Sequence, residues 1–289
     1  MLDTYALGQP GTVGAYLVKG PKPALVDCGY ATSYESVLKG LAEAGVMPSD
    51  VRYLIPTHVH LDHGGAAGRL IKEMPNAEVM AHERGVPHLI DPTRLIESST
   101  KVFGEMIMGL YGNPEPIPAE RITAVGKEAH LDLGDGLSMT MMHTPGHAPH
   151  QISILLDQTK AMLTADAIGI VYPGSKALIP TTPPPSFNPT ELVATIGMIR
   201  QMKPTELLVP HFGVRKDVEW VFDRTAELVP QWVEQVKSMW KNKMSLDEVS
   251  EVMEGEVAKD AGTDDLPIYA KVSVRTSAMG IMHYLDKNF

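Results

Sequence analysis

Seven side chains of metal-binding type, strung from residue 58 to residue 211, place the strongest demand on how this chain folds. They occur as Thr57-His58-Val59-His60-Leu61-Asp62-His63, then His147, Asp166 and His211. His58 and His60, two apart in extended backbone, can aim at one point, whereas the adjacent Asp62 and His63 must diverge. That divergence suits two neighbouring cations, and none of the seven is a cysteine. The chemistry such a set points to is that of a metallohydrolase.

Each residue has an ordinary reading when taken alone. Asp62 precedes Gly64-Gly65-Ala66-Ala67-Gly68-Arg69-Leu70-Ile71, a helix start where an aspartate is often an N-cap. His147 follows the turn dipeptide Pro145-Gly146, which can swing a side chain off the end of the apolar strand 137–142. Asp166 ends the apolar run 161–165, and His211 ends Leu207-Leu208-Val209-Pro210. Polar residues closing buried strands gather at sites, although a strand-end aspartate is commonly a turn residue. The significance lies in the set.

Along the chain, short apolar runs alternate with helical patterns. Segments 13–18 and 24–26 read as strands, 33–44 as a helix, 51–55 as the strand delivering the first motif, 65–74 as a helix and 78–81 as a strand. Further strands are expected near 137–142, 152–156, 161–164 and 207–209. This is an α/β pattern. By itself it allows a doubly wound sheet as well as a sandwich.

The combined motifs resemble the metallo-β-lactamase superfamily, from about Thr12 to Gly213. They are His-x-His-x-Asp-His at 58–63, a histidine after Thr144-Pro145-Gly146, a strand-closing aspartate and a final histidine. The resemblance implies an αβ/βα four-layer sandwich with the metals at the rim where strands end. It also implies that His58, His60 and His147 hold the first metal, Asp62, His63 and His211 the second, and that Asp166 bridges them. Asp27, in Ala24-Leu25-Val26-Asp27-Cys28-Gly29, matches an early strand-end aspartate that supports the ligands from behind; alone it would read as a turn residue.

Two divalent ions about 3.5 to 4 Å apart would share a hydroxide formed near neutral pH, and Asp62 would orient it and take up its proton. Zinc is the first expectation, and a donor set of nitrogen and carboxylate leaves manganese, iron and cobalt open. The zinc β-lactamases place a cysteine where this chain has Asp166, so antibiotic hydrolysis is not the expected main role. The flavin-partnered diiron branch replaces the second histidine by glutamate, but His60 is intact. What remains resembles the branches that open lactones, thioesters, carboxylic esters or phosphotriesters, including the glyoxalase II type. A mononuclear iron persulfide dioxygenase and a catalytically silent metal-binding protein of the same fold are the alternatives.

Residues 1–213 are expected to form the catalytic domain and 214–289 a helical C-terminal extension packed on the core, with a role in a homodimer. Within the first, 93–119 carries an apolar helical pattern read as a cap over the site, and Phe103, Met106, Tyr172 and Phe187 are candidates for lining a substrate pocket. In the extension an apolar stripe with Trp232 and Trp240 crosses Pro230, which is expected to break or kink the helix.

With 44% hydrophobic and 21% charged residues, the chain can bury a large core without staples. Its single cysteine, Cys28, reads as a small buried hydrophobe. A formal charge of −10 disfavours general attraction to nucleic acid. The first eleven residues lack an export pattern and no apolar run reaches membrane length, so a cytoplasmic enzyme of a small-molecule substrate is expected.

Overall fold

The computed structural model describes residues 1–171 and 177–289, which fall into two compact units. The first comprises Met1–His143, His150–Ala165 and Leu207–Val214; the second comprises Thr144–Pro149, Asp166–Glu206 and Arg215–Phe289. The expected boundary at Gly213 lies close to the last crossing, but the earlier crossings carry no signal in composition. Segments 144–149 and 166–206 therefore share a unit with the C-terminal helices.

In the first unit one sheet has the order β1 (Leu2–Asp3), β2 (Gly14–Val18), β3 (Ala24–Val26), β4 (Tyr53–Ile55), β5 (Glu78–His82) and β6 (Ile122–Val125). Strands β3 to β6 run parallel, and β2 is antiparallel to β3. The other sheet begins with β7 (Glu128–Gly134), β8 (Leu137–His143), β9 (Ile152–Leu156) and β10 (Ala161–Leu163), which pair antiparallel. After β10 the chain forms the ribbon β11 (Ile170–Val171) and β12 (Leu178–Ile179), then returns through β13 (Glu206–Val209) and β14 (Gly213–Arg215) to the far edge of the second sheet.

Period-two alternation explains why β3, β4 and β5 read as unbroken apolar runs: both faces are covered. Leu25, Leu54, Val79 and Ala81 point to one side, where they meet Val37 and Leu41 of α1 (Tyr34–Glu43). Past the short α2 (Leu61–Gly64), α3 (Ala67–Glu73) adds Leu70 and Ile71 to the same cluster. Ala24, Val26, Ile55 and Met80 point the other way, onto Leu131, Leu133, Met139, Met141, Ile152, Ile154 and Leu163 of the second sheet. Strand β7 lies where no strand was expected, yet its Leu131 and Leu133 alternate with exposed neighbours in the pattern of a half-buried strand.

Between β5 and β6 lie α4 (Val86–Ile90), α5 (Thr93–Phe103) and α6 (Glu105–Tyr111). Gly104, at φ +80, breaks the expected apolar pattern into these last two helices. Met108 and Tyr111 form a satellite cluster with Leu61, joined by Tyr30, Ile96, Phe103 and Ile107.

The second unit carries α7 (Pro189–Gln201), α8 (Val218–Lys241), α9 (Leu246–Ala261) and α10 (Ile268–Asn288). The Asn188 side chain accepts from the backbone N–H groups of Thr190 and Glu191, which starts α7. Of the break or kink expected at Pro230, the break does not occur: α8 runs through it. A proline inside a helix costs about 3 kcal/mol, and the burial of Val221, Phe222, Leu228, Val229, Trp232 and Val236 on this helix outweighs that. Among the described residues no helix is long and apolar enough to cross a membrane.

This packing has two measurable consequences. Leu54, fully buried between the parallel sheet and its helices, should lose about 2–5 kcal/mol of stability as Leu54→Ala, read by urea denaturation. At the rim, His82 of β5 and His143 of β8 stack with ring centroids 3.9 Å apart. Burial first, then the charge His143 would carry, pushes the His82 imidazole down from 6.5 to about 4. The unfolded chain therefore takes this proton at a higher pH than the folded one. The His82 contribution is complete above pH 6.5 and is lost as pH falls towards 4. Urea curves at about pH 7.5, 6 and 5 should show a shallower loss of stability for His82→Gln than for wild type; equal slopes would refute the assignment.

Candidate metal centre

Asp27 leaves the end of β3 in a left-handed conformation, φ +57, and its amide donates to Ile55 O. One carboxylate oxygen accepts from the Thr57 amide at 2.7 Å. The other accepts from the Thr57 hydroxyl at 3.2 Å and from His63 Nδ1 at 3.0 Å. With its proton committed to Asp27, the Thr57 oxygen accepts from His58 Nδ1 at 3.1 Å. One buried carboxylate thus assigns the tautomer of two histidines, directly for His63 and through Thr57 for His58. In each the Nδ1–H points back to this support and Nε2 points the other way.

The remaining donors of the first unit gather near these two rings. His58 Nε2 and His60 Nδ1 lie 3.0 Å apart. Asp62 Oδ2 stands 3.6 Å from His63 Nε2 and 3.7 Å from His211 Nε2, and these three residues form a cluster of metal-binding type. Neutral imidazoles oriented from behind, one carboxylate and no thiolate fit a divalent transition-metal ion. His150 Nδ1 lies 3.5 Å from the Val59 amide, and its ring centroid is 5.9 Å from that of His60, behind the motif.

His211 sits on a turn in which Phe212 takes φ +83. The Tyr16 hydroxyl lies 2.8 Å from Val209 O and 2.7 Å from Gly213 O, sharing its one proton between the two ends of that turn. The Gly14 amide donates to Pro210 O at 2.7 Å. Burial, with the Asp27 charge adding, raises the Tyr16 phenol well above its ordinary value, so it remains a donor. Cys28 behaves as expected: fully buried, its thiol raised by burial, its Sγ donating to His63 O at 3.0 Å.

The second unit holds His147 and Asp166. The turn before His147 requires glycine, because Gly146 has φ +125 and a Cβ there would lie 2.3 Å from the Leu192 amide nitrogen. Thr195 Oγ1 donates to Pro145 O at 2.6 Å, and the Asn188 amide donates to Gly146 O at 2.8 Å. His147 Nδ1 donates to Thr181 O at 2.9 Å, which leaves Nε2 facing Asp166 Oδ2 at 3.5 Å. The Thr181 hydroxyl in turn donates to Asp166 O at 2.7 Å. Both ligand candidates are almost fully buried.

The pocket-lining candidates divide. Phe103 is half-buried and meets Tyr111 edge to face at 5.6 Å. Met106 is 80% exposed: α6 buries Met108 and Tyr111, and a residue two positions before Met108 lies about 200° around the helix. Phe187 is buried and meets Tyr284 with ring centroids 6.1 Å apart. Tyr172 lies outside the described residues. Sequence reasoning missed Tyr111, which stacks on Tyr30 at 4.2 Å and whose phenol is raised by burial, with the Asp62 charge adding. The α5–α6 insertion thus packs Met108 and Tyr111 against Leu61, the residue before Asp62.

A family model described as the metallo-beta-lactamase superfamily matches residues 8–211. The metallo-beta-lactamase fold-containing protein ST1585 of Sulfurisphaera tokodaii is 32% identical over 135 residues, 46% of this chain and 49% of that protein. Its crystal structure superposes with a TM-score of 0.68 at 22% identity, covering 94% of this chain and 93% of that one. The family protein TTHA1429 of Thermus thermophilus superposes with a TM-score of 0.70 at 19% identity, covering 95% of this chain and 88% of that one. The N-acyl homoserine lactonase AttM of Azorhizobium caulinodans is 31% identical over 126 residues, 43% of each chain. In sequence, the chain spans about half the length of the curated relatives ST1585 and AttM. The structural likenesses carry the fold, and the family model covers more than half of the chain: this protein belongs to the metallo-beta-lactamase superfamily.

Proposed function

We propose that the protein is a dinuclear metal-dependent hydrolase of an ester-like bond in a small molecule. In this reading His58, His60 and His147 hold one ion, Asp62, His63 and His211 hold the other, and Asp166 is shared. The observation that carries it is the common state of three buried histidines. His58, His63 and His147 each donate Nδ1–H to an oxygen, which turns Nε2 towards a second donor of metal-binding type: His60 Nδ1 at 3.0 Å, Asp62 Oδ2 at 3.6 Å and Asp166 Oδ2 at 3.5 Å. A structural histidine has no need of that uniform orientation.

When bound, a pair of divalent ions supplies an ionised water near pH 7 and an electrophilic pole for the scissile carbonyl or phosphoryl oxygen. The chain's own residues do the rest. Asp62, part-exposed beside His63 and His211, orients the attacking water and accepts its proton. Asp27 holds the two histidines on the motif loop at fixed angles, which keeps the donors in place before substrate arrives. Tyr111 packs with Leu61 beside Asp62. Zinc heads the candidates for the ions. Lactones head the substrate classes, on the strength of the lactonase among the relatives, followed by thioesters, carboxylic esters and phosphotriesters.

Protein purified without chelator should carry about two divalent ions per chain and hydrolyse at least one class in a panel of lactones, thioesters, aryl esters and phosphotriesters. Activity should vanish on chelation, and His58→Ala and Asp166→Ala should reduce turnover to background. One iron per chain with oxygen consumption on a persulfide would overturn the reading, as would full metal occupancy with no hydrolysis across the panel. Asp27→Asn keeps the shape but removes the charge that orients both histidines. It should weaken metal binding about 10–100-fold, measured by competition with a colorimetric chelator.

A further inference from the structure

Helix α10 begins far beyond residues 8–211, the stretch shared with the family. It nevertheless grips the segment on which His147 and Asp166 depend. A helical serine commonly spends its hydroxyl on the carbonyl four residues back, as Ser273 does on Tyr269 O at 2.9 Å. Ser277, one turn later and buried, does otherwise. Its hydroxyl donates to Pro180 O at 2.6 Å and accepts from the Thr182 amide at 3.3 Å. The Thr182 hydroxyl donates back to Ser277 O at 3.0 Å.

At Gly280 the helix and this segment come into backbone contact, since a Cβ there would lie 1.8 Å from Thr182 O. The helix therefore fixes the peptide groups on both sides of Thr181 while leaving Thr181 to other partners. Those partners are His147, whose Nδ1–H is received by the Thr181 carbonyl, and Asp166, whose backbone oxygen is held by the Thr181 hydroxyl. The direction of the carbonyl sets the plane of the His147 ring, so a shift of the segment turns Nε2 away from Asp166 Oδ2.

We propose that Ser277 and Gly280 of α10 form a positioning site for the pair His147 and Asp166, so that the C-terminal helix tunes how tightly this pair holds metal. The proposal rests on the reading of that pair as metal ligands. Its consequence is that affinity responds to a helix that contributes no ligand.

The test uses full-length protein loaded with zinc and measures zinc release to a colorimetric chelator, alongside urea denaturation. Ser277→Ala and Gly280→Ala should each weaken zinc retention about 10–100-fold, the effect typical of residues that orient ligands. Ser277→Thr, which keeps the hydroxyl, should retain zinc better than Ser277→Ala. Leu285→Ala, on the same helix and fully buried, should lower the urea midpoint while zinc is held as in wild type. If Ser277→Ala does not fold, Thr182→Val removes one of the three bonds at constant shape and should weaken retention in the same direction. Wild-type retention in Ser277→Ala, or equal weakening by Leu285→Ala, would overturn the proposal while His147→Ala still loses zinc. Unchanged retention in His147→Ala would instead overturn the ligand reading beneath it.

Discussion

A buried carboxylate at the end of a parallel strand organises the motif. Asp27 receives the Thr57 amide, the Thr57 hydroxyl and His63 Nδ1, and through Thr57 it reaches His58. A buried charge is tolerated only where hydrogen bonds surround it, and here each bond also orients a donor of the candidate metal centre. The left-handed backbone at Asp27 is the local strain that aims the carboxylate at the loop after β4. If the carboxylate were lost, both histidines would keep their positions in the sequence but lose the partner that selects their tautomer.

The second unit meets the same requirement with neutral groups. Thr181 offers its carbonyl to His147 and its hydroxyl to the Asp166 backbone, and α10 steadies Thr181 from both sides. Tyr16 plays a comparable part for His211, bracing both ends of a turn whose Phe212 takes a positive φ. These supports come from residues with no metal-binding chemistry of their own. Their value is geometric: a hydrogen bond to backbone or ring fixes an angle that side-chain packing alone leaves loose.

Much of the fold was legible because it obeys short-range rules. Segment 24–26 reads as a strand, 33–44 as a helix and 152–156 as a strand, and each is present. Pro230 does not break α8, because the rule that a proline interrupts a helix is local, whereas the apolar face holding α8 together is not. Met106 and Phe187 differ for a related reason. An apolar residue in an insertion or stiff loop says nothing of which way it turns: one faces solvent and the other fills a space beside Tyr284.

The ligand inventory, its order and the alternation that stacks two sheets are written in the residues themselves, since they depend on side-chain identity and on short spacings along the chain. Which oxygens stand behind the histidines is settled only by long-range packing. Tyr16 and Gly213 are 197 residues apart, and Thr182 and Ser277 are 95 apart. Tyrosine, serine and threonine are common surface residues whose hydroxyls carry no periodic signature. Their role appears only when chain packing brings a donor within hydrogen-bonding distance of a buried carbonyl that water can no longer serve.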